Sequence, residues 1–401
     1  MKYTLRLRIL TLLLTIFLLP IGGLSSVAEE NVMPISENGS VSDLGVADGS
    51  LNLNCKSAIL MEAATGAVLY KQNCDEKLPP ASVTKIMTLL LVMEAVDAGI
   101  AHMDSVVTVS ANAASMGGSQ VYLKEGEQMI LEDLLKSVVI ASANDAAVAL
   151  AEYVAGSVPS FVEKMNKRAA ELGMVNTTFE NVTGLDDTAQ AHLTSARDIA
   201  LMSQALIAHE EILKYSSIWM DTIRDGAFGL TNTNRLVRFY PGCTGLKTGS
   251  TSKAGFCVSV TAERDGFSLI CVVMGAESRD VRNAIATEML DWGFANYGLY
   301  RADAGTAGTV QVTGSSLSEC PTAYGEFCRV MPKGSISSVE QRIVLPQSVA
   351  APISEGDALG TVEYVCRGEV IGSLPITATQ SLPKINFFEV FVRILAKFLL
   401  I

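Results

Sequence analysis

Ser82 and Lys85 stand three residues apart in LPPASVTKIMTLLLVMEAV, Leu78–Val96, where a proline-bounded polar segment runs into a long apolar stretch. Three residues along a helix are about one turn, which puts an amine within reach of a hydroxyl. Pro79-Pro80 cannot extend a helix backwards, so the helix is expected to start near Ala81 or Ser82, with Val83, Ile86, Leu90 and Met93 as its apolar face. A helix N-terminus supplies N–H groups and partial positive charge where an oxyanion can form. A lysine there takes the serine proton only if burial or a second cation lowers its pKa. The pair alone is weak evidence, because a capping serine followed by a solvated lysine is spelled the same way. Ser250-Thr251-Ser252-Lys253 repeats the spacing.

Two further clusters bear on the choice. Ser142-Ala143-Asn144 interrupts the apolar helical runs Leu131–Ala141 and Asp145–Ala155. On a bend, such a serine can relay a proton and the asparagine amide can hold a substrate carbonyl, although both types are also favoured helix caps. The copy Ser110-Ala111-Asn112 directly follows the strand-like Val106–Val109 and reads better as a cap. Lys247-Thr248-Gly249 occurs once, before a strand hairpin. Along a strand edge, a lysine and a threonine with a glycine removing bulk leave a slot for an extended peptide. Lys247 can meet a carboxylate and depress the pKa of Lys85, and the backbone N–H of Ser250 can face that of Ser82 across an oxyanion. The competing reading is a loop lysine beside a turn glycine.

The elements around these residues predict an α+β fold. KSAILMEAATGAVLYKQN reads as a hairpin about Ala64-Thr65-Gly66, and AGFCVSVTAERDGFSLICVVMGA as another about Arg264-Asp265-Gly266. Helices are expected at Ser160–Leu172, Ser195–Ile207 and Arg279–Phe294. Strands at both ends with helices between suit one antiparallel sheet whose first and last strands are neighbours. The reading divides the 401 residues into a signal peptide (1–28), a linker (29–54), a catalytic domain (55–299), a small β-rich domain (300–384) and a terminal amphipathic helix (385–401). In that last segment Glu389, Arg393 and Lys397 recur every four residues on one face of an otherwise apolar helix, a pattern suited to a membrane interface. A terminal helix docked on its own domain is the other reading.

Lys2, Arg6 and Arg8, an apolar core and a small-residue site at Ser26-Val27-Ala28 predict export, which would leave a chain near −15 (−12 less three positive charges). Such a charge argues against nucleic acid as a partner. Eight cysteines permit disulfides outside the cytoplasm; Cys320 and Cys328 are near enough in sequence to bridge a loop, whereas Cys257 and Cys271 sit in apolar strands as small hydrophobes. No Cys/His cluster has metal spacing, and no cofactor is implied. His102, His192 and His209 are scattered, so a Ser-His-Asp triad has little support and His192 is read as a capping or packing residue.

Taken in order, the three clusters match S-x-x-K, S-D-N and K-T-G, the signature of class A β-lactamases and penicillin-binding proteins, the second departing only by Ala143 for the aspartate. The chain resembles the low-molecular-mass penicillin-binding proteins, the serine-type D-alanyl-D-alanine carboxypeptidases, over most of its length. LPPASVTKIMT, SVVIASANDAAVALAEY, FVEKMNKRAAELGM, NVTGLDD and GLKTGSTSKAGFC carry the resemblance. It implies a β-lactamase/transpeptidase-like catalytic domain followed by a β domain and an amphipathic tail. It also implies roles. Ser82 would be acylated by a peptidoglycan pentapeptide, releasing terminal D-alanine, with Lys85 as base and Ser142 as proton relay. Asn144 would hold the substrate backbone, Lys247 and Thr248 its carboxylate, and Gly249 and Ser250 would complete the slot. β-Lactams would inhibit, and the tail would lie on the outer face of the cytoplasmic membrane. A β-lactamase, with Glu163 and Asn166 as the nearest water-activating candidates, and a non-catalytic penicillin sensor are the alternatives.

Overall fold

The computed structural model describes Leu51, residues 53–185 and residues 189–398. The expected signal peptide and most of the linker lie outside the described residues, as do Asp186 and Asp187 of NVTGLDD, the last three residues and the side chains of Arg393 and Lys397.

The chain opens with the expected hairpin, β1 (Ser57–Glu62) and β2 (Val68–Gln72). Its turn is fixed by the Glu62 carboxylate, which accepts the N–H groups of Ala64 and Thr65. Two short pairs lie among the helices that follow, β3 (Val106–Thr108) with β4 (Gln128–Ile130), and β5 (Met220–Ile223) with β6 (Phe228–Thr231). Three long strands then complete the sheet, β7 (Cys243–Thr251), β8 (Gly255–Arg264) and β9 (Phe267–Ala276). Their order is β2-β1-β9-β8-β7, so the first and last strands are indeed neighbours, from Ser57 opposite Met274 to Glu62 opposite Leu269. Asp265 and Gly266 both take positive φ between β8 and β9, as a tight two-residue hairpin turn demands.

Both faces of this sheet are covered. Ile59, Met61, Val272 and Met274 join the core of the central helices, while Ala58, Leu60, Cys271 and Val273 pack with Ile285, Met289 and Leu290 of the helix Arg279–Asn296. Strand residues alternate between two cores, and β7 is left at the edge of the sheet.

The helix of the opening motif departs from the one-faced helix expected. A 3-10 turn, Ala81–Thr84, precedes an α-helix that begins at Lys85 and runs to Asp97. Every residue from Lys85 to Met93 is buried, because this helix packs against the helices Asn144–Ala155 and Ala196–Ile207 as well as the sheet edge. Ser110 caps its own short helix by accepting from Ala113 N, as read from sequence. The expected Ser160–Leu172 helix starts two residues earlier, at Val158, where Ser157 caps it and Pro159 fits the first turn.

From Tyr297 to Ala378 the fold is β, apart from a 3-10 segment at Lys333–Ser338. β10 (Tyr297–Ala302) pairs with β13 (Phe327–Pro332). β11 (Gly305–Thr313), β12 (Glu319–Tyr324), β14 (Val339–Val344), β15 (Ser348–Ala350), β16 (Ala358–Cys366) and β17 (Glu369–Ala378) form one sheet. The terminal helix, Phe387–Phe398, exposes Phe387, Phe388, Phe391, Ile394, Leu395 and Phe398, so it is not docked as a core element. No helix among the described residues is long and apolar enough to cross a membrane. All eight cysteines are described and none is bridged, Cys320 and Cys328 included.

Candidate active site

Ser82 lies on the 3-10 turn, part-exposed at the wall of a cleft of about 620 Å³. Ser142, Thr248, Gly249 and Ser250 line the same cleft. The turn is unusual: Ala81, just before the nucleophile candidate, has φ +48, a left-handed conformation rare outside glycine. Lys85 sits one residue beyond the turn, with no exposed surface. Its Nζ lies 2.9 Å from Ser82 Oγ, 2.6 Å from Asn144 Oδ1 and 3.1 Å from the Thr183 carbonyl oxygen. Burial pushes its pKa well below the usual lysine range, and the positive charge of Lys247 pushes the same way, as anticipated from sequence; the Asp145 carboxylate opposes both.

Ser142 takes φ +62 at the bend, and the helix Asn144–Ala155 begins at Asn144 with Ala143 in the capping position. Neither polar residue therefore serves as the cap. Asn144 is turned inward: its Oδ1 faces Lys85, its Nδ2 donates to Gly117 O at 2.7 Å, and its backbone N–H donates to Ser119 O. Asn144 is only 2% exposed and, unlike Ser142, is not among the residues that line the cleft. The following residue, Asp145, is buried and accepts from Val121 N and Leu123 N, which pins the Ser119–Leu123 loop beside the cleft.

Lys247 and Thr248 lie on the edge strand β7. Lys247 is buried, its Nζ donates to Thr248 O at 3.1 Å, and burial with the nearby Arg282 lowers its pKa to about 7. Thr248 Oγ1 donates to Thr233 Oγ1 at 2.9 Å. Gly249 is where strand and turn touch. A β-carbon there would stand 2.8 Å from Pro80 O and from Ser82 N, and 2.9 Å from Val83 N. Only a glycine allows the strand backbone to lie so close to the nucleophile turn.

Three contributors were missed from sequence. Thr183 acts through its carbonyl, which residue type does not encode. Thr233 reaches Thr248 from another loop. Arg282 lines the cleft although its side chain is almost wholly buried, with Nη1 on Cys257 O and Nε and Nη2 on Asn283 Oδ1. A signal for Arg282 existed: it falls in register with Ile285, Ala286 and Met289, on the apolar face of its helix. By contrast, Glu163 is exposed on the helix Val158–Glu171, and Asn166 is tied to the backbone of Val162 and Phe179. Neither lines the cleft, so the water-activating pair considered for a β-lactamase has no place at it.

A serine hydroxyl against a buried amine of lowered pKa, at the edge of an antiparallel sheet, is the arrangement of a serine–lysine acyl-transfer enzyme. Residues 45–278 match the family model described as D-alanyl-D-alanine carboxypeptidase, and residues 301–384 match that of the penicillin-binding protein 5 C-terminal domain. The chain belongs to the D-alanyl-D-alanine carboxypeptidase family. It is 41% identical to the D-alanyl-D-alanine carboxypeptidase DacF of Bacillus subtilis, over 87% of this chain and 91% of that protein. Among solved structures, it is similar to penicillin-binding protein 5 of Haemophilus influenzae, with TM-score 0.74 and 30% identity over 83% of this chain and 99% of that one. It is also similar to penicillin-binding protein D2 of Listeria monocytogenes in an ampicillin-bound form, with TM-score 0.56 and 34% identity over 61% of this chain and 98% of that one.

Proposed function

We propose that this chain is a serine D-alanyl-D-alanine carboxypeptidase: it releases the terminal D-alanine of peptidoglycan stem peptides through an acyl-enzyme on Ser82, and β-lactams acylate the same serine. The observation that carries the reading is the surroundings of Lys85 Nζ. A neutral amine has two N–H groups and one lone pair. The two carbonyl oxygens, of Asn144 and Thr183, take the N–H groups, so the lone pair is directed at the Ser82 hydroxyl. Lowered pKa and geometry thus point to the same role, general base.

In this mechanism Ser82 Oγ attacks the penultimate D-Ala carbonyl while its proton passes to Lys85. The oxyanion is met by the backbone N–H groups of Ser82 and Ser250, on either side of the Gly249 contact. Ser142 passes the proton from Lys85 to the leaving nitrogen, the C–N bond breaks, and D-alanine departs. Water then adds to the ester and restores the Ser82 hydroxyl. Thr248, Lys247 and Arg282 receive the terminal carboxylate. Burial and the nearby Arg282 lower the Lys247 pKa to about 7, and an arriving carboxylate would favour its charged form.

Export and attachment belong to the same proposal. The N-terminal segment would direct secretion, and the exposed phenylalanines of the terminal helix would rest in the outer face of the cytoplasmic membrane. The test is steady-state release of D-alanine from diacetyl-Lys-D-Ala-D-Ala, with Ser82→Ala as control. Release by the wild type alone supports the reading. Penicillin labelling that persists in Ser82→Ala refutes it, and labelling at Ser82 without release favours the penicillin-sensor alternative.

A further inference from the structure

His192 takes no part in the chemistry above, yet it is buried 110 residues downstream of the nucleophile turn and hydrogen-bonded to it. Glu180 N donates to His192 Nδ1 at 3.0 Å, so the neutral ring carries its proton on Nε2. That nitrogen lies 2.7 Å from Thr84 Oγ1, and Thr84 Oγ1 donates to Ala81 O at 2.8 Å. The hydrogen-bonded chain thus runs from His192 Nε2 to Thr84 Oγ1 and from Thr84 Oγ1 to Ala81 O.

The end of the chain is what matters. Ala81 C=O and Ser82 N–H belong to one planar trans peptide, in which carbonyl and N–H point in opposite directions. Fixing the carbonyl from behind therefore aims the N–H. An N–H whose own carbonyl accepts a hydrogen bond is also a stronger donor. Gly184 closes the back of the site: a β-carbon there would stand 1.8 Å from Ala81 O. The peptide is held in the left-handed conformation of Ala81, which this hydrogen bond and the glycine contact keep in place.

We propose that His192, acting through Thr84, is a positioning residue for the oxyanion hole: it orients and polarises the Ala81–Ser82 peptide whose N–H meets the developing negative charge. The proposal rests on Ser82 as the nucleophile. It is separable from that reading, because Ser82→Ala tests whether labelling occurs at all and the variants below test how fast labelled protein forms.

The glutamine variant is informative because a side-chain amide places one donor and one acceptor about as far apart as the two imidazole nitrogens. Four variants, His192→Leu, His192→Gln, Thr84→Val and the double His192→Leu/Thr84→Val, are to be compared in full-length protein. The readouts are the acylation rate constant and the pre-covalent affinity for a penicillin, the affinity for a peptidyl boronic acid as a tetrahedral mimic, and the melting temperature. His192→Leu and Thr84→Val should each slow acylation ~10–100-fold and weaken boronate binding in parallel, with pre-covalent affinity unchanged, as expected when an oxyanion donor is weakened rather than removed. The double variant should lose no more than either single one, and His192→Gln should recover most of the rate. Thr84→Val conserves shape, so it remains informative where His192→Leu fails to fold. Wild-type acylation by folded Thr84→Val, additive losses in the double variant, or failure of folded His192→Gln to recover the rate would each overturn the proposal.

Discussion

Gly249→Ala tests whether the strand and the nucleophile turn act as one unit. Its β-carbon would approach Pro80 O and Ser82 N to 2.8 Å, whereas ordinary contact begins near 3.4 Å, so strand and turn must separate by about 0.6 Å. All three neighbours are backbone atoms, so no side chain can swing away to absorb the change. Overpacking of this kind costs about 1–3 kcal/mol of stability. The effect on rate should be larger than the effect on folding, because the same displacement opens the gap between Ser82 N–H and the β7 backbone. A misplacement approaching 1 Å costs roughly 100-fold in rate, so about 0.6 Å should cost at least ~10-fold. Stopped-flow acylation by a fluorescent penicillin measures the rate, and thermal melting measures the stability. Gly229→Ala on β6 serves as control, since nothing lies within 4 Å of its β-carbon. Acylation by Gly249→Ala at the wild-type rate, with an unchanged melting temperature, would refute the close approach on which the oxyanion hole depends.

Lys247→Met removes a cation that lowers the Lys85 pKa, so the acid limb of the acylation profile should move to higher pH, read by penicillin labelling across a pH series. The same variant should be more stable: Lys247 titrates near 7 when folded and at its ordinary value of 10.5 when unfolded, so the unfolded chain binds the extra proton between these limits. The gain, about 1–4 kcal/mol by analogy with buried charges replaced by apolar groups, should be full below pH 7 and fade towards pH 10 in urea titrations. Arg282→Gln should lower kcat/KM for the D-Ala-D-Ala peptide ~10–100-fold, the value of a charge-assisted hydrogen bond of about 1.5–3 kcal/mol, and an unchanged kcat/KM would remove Arg282 from carboxylate recognition. Deleting residues 385–401 should release active enzyme from anionic lipid vesicles in a flotation assay, and continued flotation of the truncated protein would refute the membrane role of the tail.

The residues of the proposed site were legible because they are spelled locally. Serine and lysine one turn apart, Ser142 and Asn144 on a broken helix, and lysine-threonine-glycine at a strand edge are short-range patterns, and the sheet that assembles them follows from hairpins at both ends of a helical segment. What the sequence left open was whether Lys85 is a base or a solvated cation. Spacing cannot exclude the solvated cation; burial does, and burial depended on a tertiary fact, that Lys85–Met93 of this helix are enclosed on every side rather than along one face. A trace of that fact was present, because IMTLLLVM is apolar around the whole helical circumference and not along a stripe. Arg282 was readable by the same logic, as a charge in the apolar register of its helix. The carbonyls of Thr183 and Ala81 were not, since every residue carries a carbonyl and only the path of the chain decides which one faces an amine or a hydroxyl. His192 falls between these cases. Its residue type allowed a role and its distance from Ser82 in sequence argued against one, yet the fold returns it to the turn through Thr84. The proposed nucleophile and base are therefore set by side-chain identity, while the field around them is set largely by backbone groups, and altering that field requires changing residues such as Gly249, Gly184 and Thr84 that hold those groups in place.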